Sequence, residues 1–179
     1  MITLNVTPDK PISQKLYNEI ILGLDFLKLV CPCGTAGCLA VHGYYCRSLK
    51  FGVGKVKLRI CRVKCKVCKK THALLLSFMV PYSQIPLECQ IDVIKTYEEK
   101  EQSESLKYYE DIMGKTPSLD ADNIRHIIKN YHNHWKQRLL CEGLSLDRPA
   151  SLITKCFHHF KMQFMQIKRT PNVLYENTT

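Results

Sequence analysis

Two closely spaced sets of cysteines, set in fifty residues without a single carboxylate, restrict what this chain can fold into. Seven of its ten cysteines fall between Cys31 and Cys68, as Cys31-Pro32-Cys33, Cys33-x4-Cys38 and Cys65-x2-Cys68 among them. Such close pairs do not easily close a disulfide within the pair, but one turn of this kind supplies two ligands to a metal. Cys38 and Cys65 lie 27 residues apart, room for a hairpin that brings the two turns together. The expected ligands are Cys33, Cys38, Cys65 and Cys68 around one structural Zn²⁺, which takes four soft donors in a tetrahedron. Cys31 is an alternative to Cys33; Gly34 and Gly37 favour Cys33 by letting the loop to Cys38 close. His42 and His72 have ligand chemistry but fall on expected strands, where four thiolates already suffice. Cys46, Cys61, Cys89, Cys141 and Cys156 read as small buried apolar residues.

The charge coincides with the cysteines. The chain carries a formal net charge of +10. Residues 1–30 and 81–179 each hold as many acids as bases, so the whole excess lies between Cys31 and Val80. The bases there include Arg47, Lys50, Lys55, Lys57, Arg59, Lys66, Lys69 and Lys70. One Zn²⁺ with four thiolates subtracts about two charges and leaves about +8 locally. A cationic surface of that size points to a polyanion, nucleic acid first. Lys66 and Lys69, beside the second pair, also favour the thiolate form.

Periodicity predicts the elements. Leu16, Ile20, Leu24 and Leu27 mark a helix within Pro11–Lys28. Leu39–Tyr45 reads as a strand and 51–54 as a turn. Lys55–Ile60 alternates, with Val56, Leu58 and Ile60 on one face and Lys55, Lys57 and Arg59 on the other. Thr71–Leu76 is a third strand. Beyond Pro81 and Pro86 the chain reads as helical. Leu87, Ile91, Ile94 and Tyr97 mark one helix, and Ser105–Met113 a short one that Gly114 ends. Asp120 is an N-cap for a long helix striped by Ile124, Ile127, Ile128, Tyr131, Trp135 and Leu139. Pro149 opens a last helix whose apolar face is Ile153, Cys156, Phe157, Phe160, Phe164 and Ile167. The tail from Thr170 carries no pattern.

Read in order, Cys33-Gly34, Gly37-Cys38-Leu39, His42-Gly43-Tyr44-Tyr45-x-Arg47, Ile60-x-Arg62-Val63-Lys64-Cys65-x2-Cys68-x2-Thr71-His72-Ala73-Leu74-Leu75 and Pro81-Tyr82 resemble the zinc-ribbon domain of bacterial insertion-sequence transposases, as found in stand-alone proteins of mobile elements. The resemblance covers roughly Leu29 to Gln84. It implies a ribbon followed by a DNA-binding helix-turn-helix. Two departures stand out: the first knuckle has one residue fewer between its cysteines than the common form, and no catalytic domain follows.

The expected fold class is therefore α+β. A three-stranded antiparallel zinc ribbon (30–80) is flanked by an N-terminal helix (1–29) and an all-α, helix-turn-helix-like domain (81–170), with a tail at 171–179. The long helix offers Arg125, Lys129, Asn133 and Lys136 opposite its apolar stripe, for phosphates and base edges. No enzyme is expected. The helical half lacks the βαβ pattern for a three-carboxylate two-metal site, and His132-Asn133-His134, which suggests a nuclease motif, sits mid-helix. The expectation is a non-catalytic, zinc-dependent protein binding double-stranded DNA of a mobile element, accessory to a transposase or recombinase. The alternatives are a protein-interaction adaptor using the Phe-rich last helix and an RNA-binding protein stacking bases on Tyr44, Tyr45 and Tyr82. The opening residues lack a basic segment leading into an apolar stretch, and no apolar run reaches the roughly 18–20 residues of a membrane span. A cytoplasmic setting, at the bacterial nucleoid, is expected.

Overall fold

The computed structural model describes residues 1–6, 11–51, 54–101, 108–116, 118–168 and 170–176. Its elements are β1 (Ile2–Asn5), α1 (Gln14–Leu22), β2 (Leu39–Phe51), β3 (Gly54–Cys65), β4 (Thr71–Leu76), α2 (Leu87–Glu101), α3 (Tyr108–Lys115), α4 (Ala121–Asn130), a π-helical turn at Tyr131–Trp135, α5 (Lys136–Cys141), α6 (Pro149–Phe160) and β5 (Val173–Glu176).

The fold is α+β, but its sheet is mixed and five-stranded, in the order β2-β3-β4-β1-β5. The expected antiparallel strands are present, β2 against β3 and β3 against β4. Two more strands extend them: β1 runs parallel to β4 on one side and to β5 on the other. This corrects the three-stranded expectation and the patternless tail. Both segments escaped because each is only four residues long and pairs with strands far away in the sequence. Ile2, Thr3 and Leu4 are all buried, and the Thr3 hydroxyl is satisfied by Asn172 Oδ1 at 3.2 Å.

The β2–β3 hairpin runs farther than its alternating stretch. A register shift between Val41 and Gly43 interrupts it; a bulge of this kind increases local twist. Along β3 the buried parity changes. Leu58 and Ile60 are buried and then Cys61, Val63 and Cys65, which point to the opposite face. The exposed cations divide the same way, Lys55, Lys57 and Arg59 on one face and Arg62 and Lys64 on the other. The positive charge is thus split by the strand rather than gathered on one side.

β3 and β4 pair only over Arg62–Lys64, and α1 seals the gap where they part. The buried Tyr17 hydroxyl accepts from Cys61 N–H at 2.9 Å and donates to Leu74 C=O at 2.9 Å. Gln14 accepts from Arg59 N–H and donates to its C=O. Ser13 caps this helix through Leu16 N–H. It is shorter than Pro11–Lys28, since Leu24 and Leu27 lie beyond its end.

A second core gathers α2 through α6 around the fully buried Trp135. Asp120 caps α4 as expected, accepting from Asn123 N–H at 2.8 Å. Tyr131, Trp135 and Leu139 are all buried, at successive steps of four. Each such step advances about 40° too far in an α-helix, and the wider π turn takes up the excess. The start of the Ser105–Met113 helix and the middle of the 51–54 turn lie outside the described residues. α3 runs through Gly114 to Lys115. α6 ends at Phe160, where Lys161 turns left-handed, so Phe164 and Ile167 are not on it. Trp135 packs edge-on to Phe160 and Phe164.

The two cores are stitched together. Leu87 N–H donates to Phe78 C=O and Lys50 N–H to Gln84 C=O, each at 2.8 Å. The Ser118 hydroxyl donates to Phe51 C=O and the Gln163 amide to Ser77 C=O.

Candidate metal centre

The cysteines meet where β2 begins and β3 ends, because the hairpin pairs Leu39 with Cys65. The first turn folds back on itself: Cys31 N–H donates to Thr35 C=O at 2.9 Å and Gly34 N–H to Cys31 C=O at 2.7 Å. Gly34 and Gly37 both have positive φ, and a Cβ on Gly37 would stand 3.3 Å from Leu27 O. The second turn closes with Lys69 N–H on Cys65 C=O at 3.1 Å and Cys65 N–H on Lys70 C=O at 3.0 Å. Lys66 N–H joins the two turns by donating to Cys38 C=O at 2.8 Å.

Four sulfurs, those of Cys31, Cys33, Cys65 and Cys68, all lie within 4.8 Å of one another. Cys31 and Cys68 are 3.7 Å apart and Cys33 and Cys65 3.9 Å. Thiolates bound at ~2.3 Å around one ion stand ~3.8 Å apart at the edges of a tetrahedron. The donor set and its spacing therefore fit a single metal ion. Sequence reasoning set Cys31 and Cys33 as rivals, whereas the structure brings both into the cluster. Cys38 stands beside it, its sulfur 3.3 Å from that of Cys65 and its thiol directed at Thr35 C=O at 3.2 Å. The fold carries Cys38 on to Leu39 at the strand start, while the two-residue step Cys31–Cys33 turns both sulfurs to the same point.

The electrostatics favour thiolate at Cys65 and Cys33. Burial pushes the Cys65 thiol up, but the N–H groups of Cys68 and Val67, each at 3.3 Å, and the Cys38 thiol outweigh it and bring it down to about 6. The backbone and then the hydroxyl of Thr35 lower Cys33. Cys31 and Cys38 are pushed up, chiefly by burial. His72 is a neighbour the sequence weighed as a ligand. Its Nε2 lies 3.4 Å from Cys31 Sγ, and burial first, then the N-terminal ammonium and Lys70, lower the imidazole to about 4. A neutral ring there can donate to the sulfur. His42 is exposed on the β2 bulge. Of the cysteines read as buried, Cys61 and Cys156 are so, but Cys46 and Cys141 are exposed and Cys89 is half-buried.

The other site residues separate into two groups. Lys55, Lys57, Arg59, Lys66, Lys69 and Lys70 are exposed; among the described residues none has a carboxylate within 4.0 Å. Arg59 lies over the Tyr44 ring at 4.6 Å. On the long helix, Lys129 and Asn133 are exposed and Arg125 is paired with Asp122 at 2.8 Å. Lys136 stands 3.9 Å from Glu98. Two of the expected contact residues, Arg47 and Lys50, are engaged inside the fold. The Arg47 guanidinium donates to the carbonyls of Val80 and Ser83. Lys50 Nζ bonds Asn123 Oδ1 at 2.9 Å and faces Asp120 at 3.7 Å. Both hold the sheet to the helical core.

No helix among the described residues is long and apolar enough to cross a membrane. No curated protein and no solved structure matches the chain. Residues 31–113, just under half of it, match a family described as a domain of unknown function (DUF6431), a stretch that runs from the first knuckle into α3.

Proposed function

We propose that the chain is a non-catalytic, zinc-dependent protein that binds double-stranded DNA, serving a mobile element beside a separate transposase or recombinase. Zn²⁺ is the ion that four thiolates in a tetrahedron suit best. The observation that carries the reading is a row of exposed, acid-free cations, Lys55, Lys57 and Arg59, on the hairpin that ends in the four-cysteine cluster. Zinc fixes the hairpin's end, and the hairpin lays its cations along phosphates. Lys129 and Asn133 on the long helix are offered for groove contacts, in the manner of a helix-turn-helix. The mobile-element setting rests on the resemblance to transposase zinc ribbons.

What weighs against the adaptor reading is that Phe157 and Phe164 of the expected docking face are buried and Phe160 packs on Trp135, which leaves Ile167 as its exposed member. The test is a salt titration of binding to short duplex DNA, with Lys57→Glu/Arg59→Glu beside the wild type. Each phosphate contact contributes about 0.9 to the slope of log affinity against log salt, so the double variant should bind more weakly with a slope shallower by ~2. Affinity insensitive to salt, or unchanged by the double reversal, would refute the reading.

A further inference from the structure

Two clefts, of about 680 and 540 Å³, share one wall residue, Tyr82. The larger runs along α4 past Asn123 and Asn130; the smaller opens beside the cysteine cluster past Lys69 and Lys70. Each lies within the roughly 300–1,000 Å³ of ligand sites. Tyr82 is 62% exposed, and Lys168 Nζ stands 5.0 Å from its ring centroid. The one carboxylate among the described lining residues, Asp122, is paired with Arg125.

Backbone strain gathers along the same clefts. Among the described residues four non-glycines have positive φ: Lys69, Tyr82, Lys161 and Met165. Lys161 ends α6, but the other three all line these clefts. Such a backbone is strained in a residue with a side chain and collects at binding sites. At Tyr82 glycine or asparagine would relieve it, and neither would put an aromatic ring between the clefts.

We propose that Tyr82 stacks one unpaired nucleotide of the bound DNA, with the adjoining phosphates against Lys69, Lys70 and Lys168 and the base edge toward Asn130. An exposed ring flanked by cations is the usual platform for a single-stranded base. This rests on the DNA-binding reading and adds that the preferred substrate is a duplex with a single-stranded extension.

The test compares, for the full zinc-loaded chain, a blunt duplex with the same duplex carrying a short extension that contains 2-aminopurine. Stacking of one base contributes roughly 5- to 150-fold in affinity. The wild type should prefer the extended duplex by such a factor and quench the probe, and Tyr82→Phe should do the same. Tyr82→Gly and Tyr82→Asn, which suit the left-handed backbone, should lose preference and quenching while keeping blunt-duplex affinity. That retained affinity shows that they fold. Equal binding of both duplexes by the wild type, or a preference that survives Tyr82→Gly, overturns the inference and leaves the duplex-binding reading standing. Binding of neither duplex overturns both.

Discussion

Replacing the five clustered cysteines one at a time by serine separates the ligands from their neighbour. A structural zinc site is worth about 10–16 kcal/mol. One thiolate of four therefore carries roughly 3 kcal/mol, ~100-fold in affinity. Cys31, Cys33, Cys65 and Cys68 have sulfurs within 4.8 Å of one another, so each of these variants should bind Zn²⁺ about 100-fold more weakly. Cys38 contributes a sulfur hydrogen bond to Thr35 C=O at 3.2 Å. Losing it should change zinc affinity by less than about fivefold. The assay is competition with a chromophoric chelator on freshly reduced protein, alongside metal analysis. If Cys38→Ser releases zinc as Cys33→Ser does while Cys31→Ser holds it, the geometric assignment is wrong and the ligands are the set that spacing alone suggests.

Tyr17→Phe removes a hydroxyl that satisfies Cys61 N–H and Leu74 C=O. Leaving two buried groups unpaired should cost about 2–4 kcal/mol in urea unfolding, and a loss under about 0.5 kcal/mol would mean that α1 does not hold β3 to β4. Gly34 and Gly37 both have positive φ, and a Cβ on Gly37 would also stand 3.3 Å from Leu27 O, so alanine at either should weaken zinc binding; unchanged affinity in both variants would contradict the first-turn geometry. Asp120→Ala should lower the melting temperature at neutral pH. The Asn123 N–H first, then Lys50, holds this carboxyl below its usual range. Its contribution is complete above the ordinary carboxylate pKa and disappears as pH falls through the depressed one. The difference from wild type should close in acid, and a difference that persists there would rule out a charged cap.

The local rules were legible in the residues. The Asp120 cap, the alternation of Lys55–Ile60, the span of β4 and the stripe through Trp135 all follow from a short-range period or a single side chain, and the cysteine spacing located a cluster that could hold a metal ion. Its membership was not legible. Whether Cys31 or Cys38 completes a set of four depends on where the chain's turns aim each sulfur, which spacing does not encode. β1 and β5 were hidden for a related reason. A four-residue strand is too short to show a period, and the partners that hold it lie far off in the chain, Ile2 against both Leu74 and Val173. The uses of the cations were likewise tertiary. Charge counting treats Arg47, Lys50 and Lys57 alike, yet packing commits the first two to carbonyls and side chains across the core junction and leaves the third in solvent. Sequence thus determined which chemistry the chain carries and roughly where; only long-range contact decided which of those groups point inward, which stand together and which remain free to meet a partner.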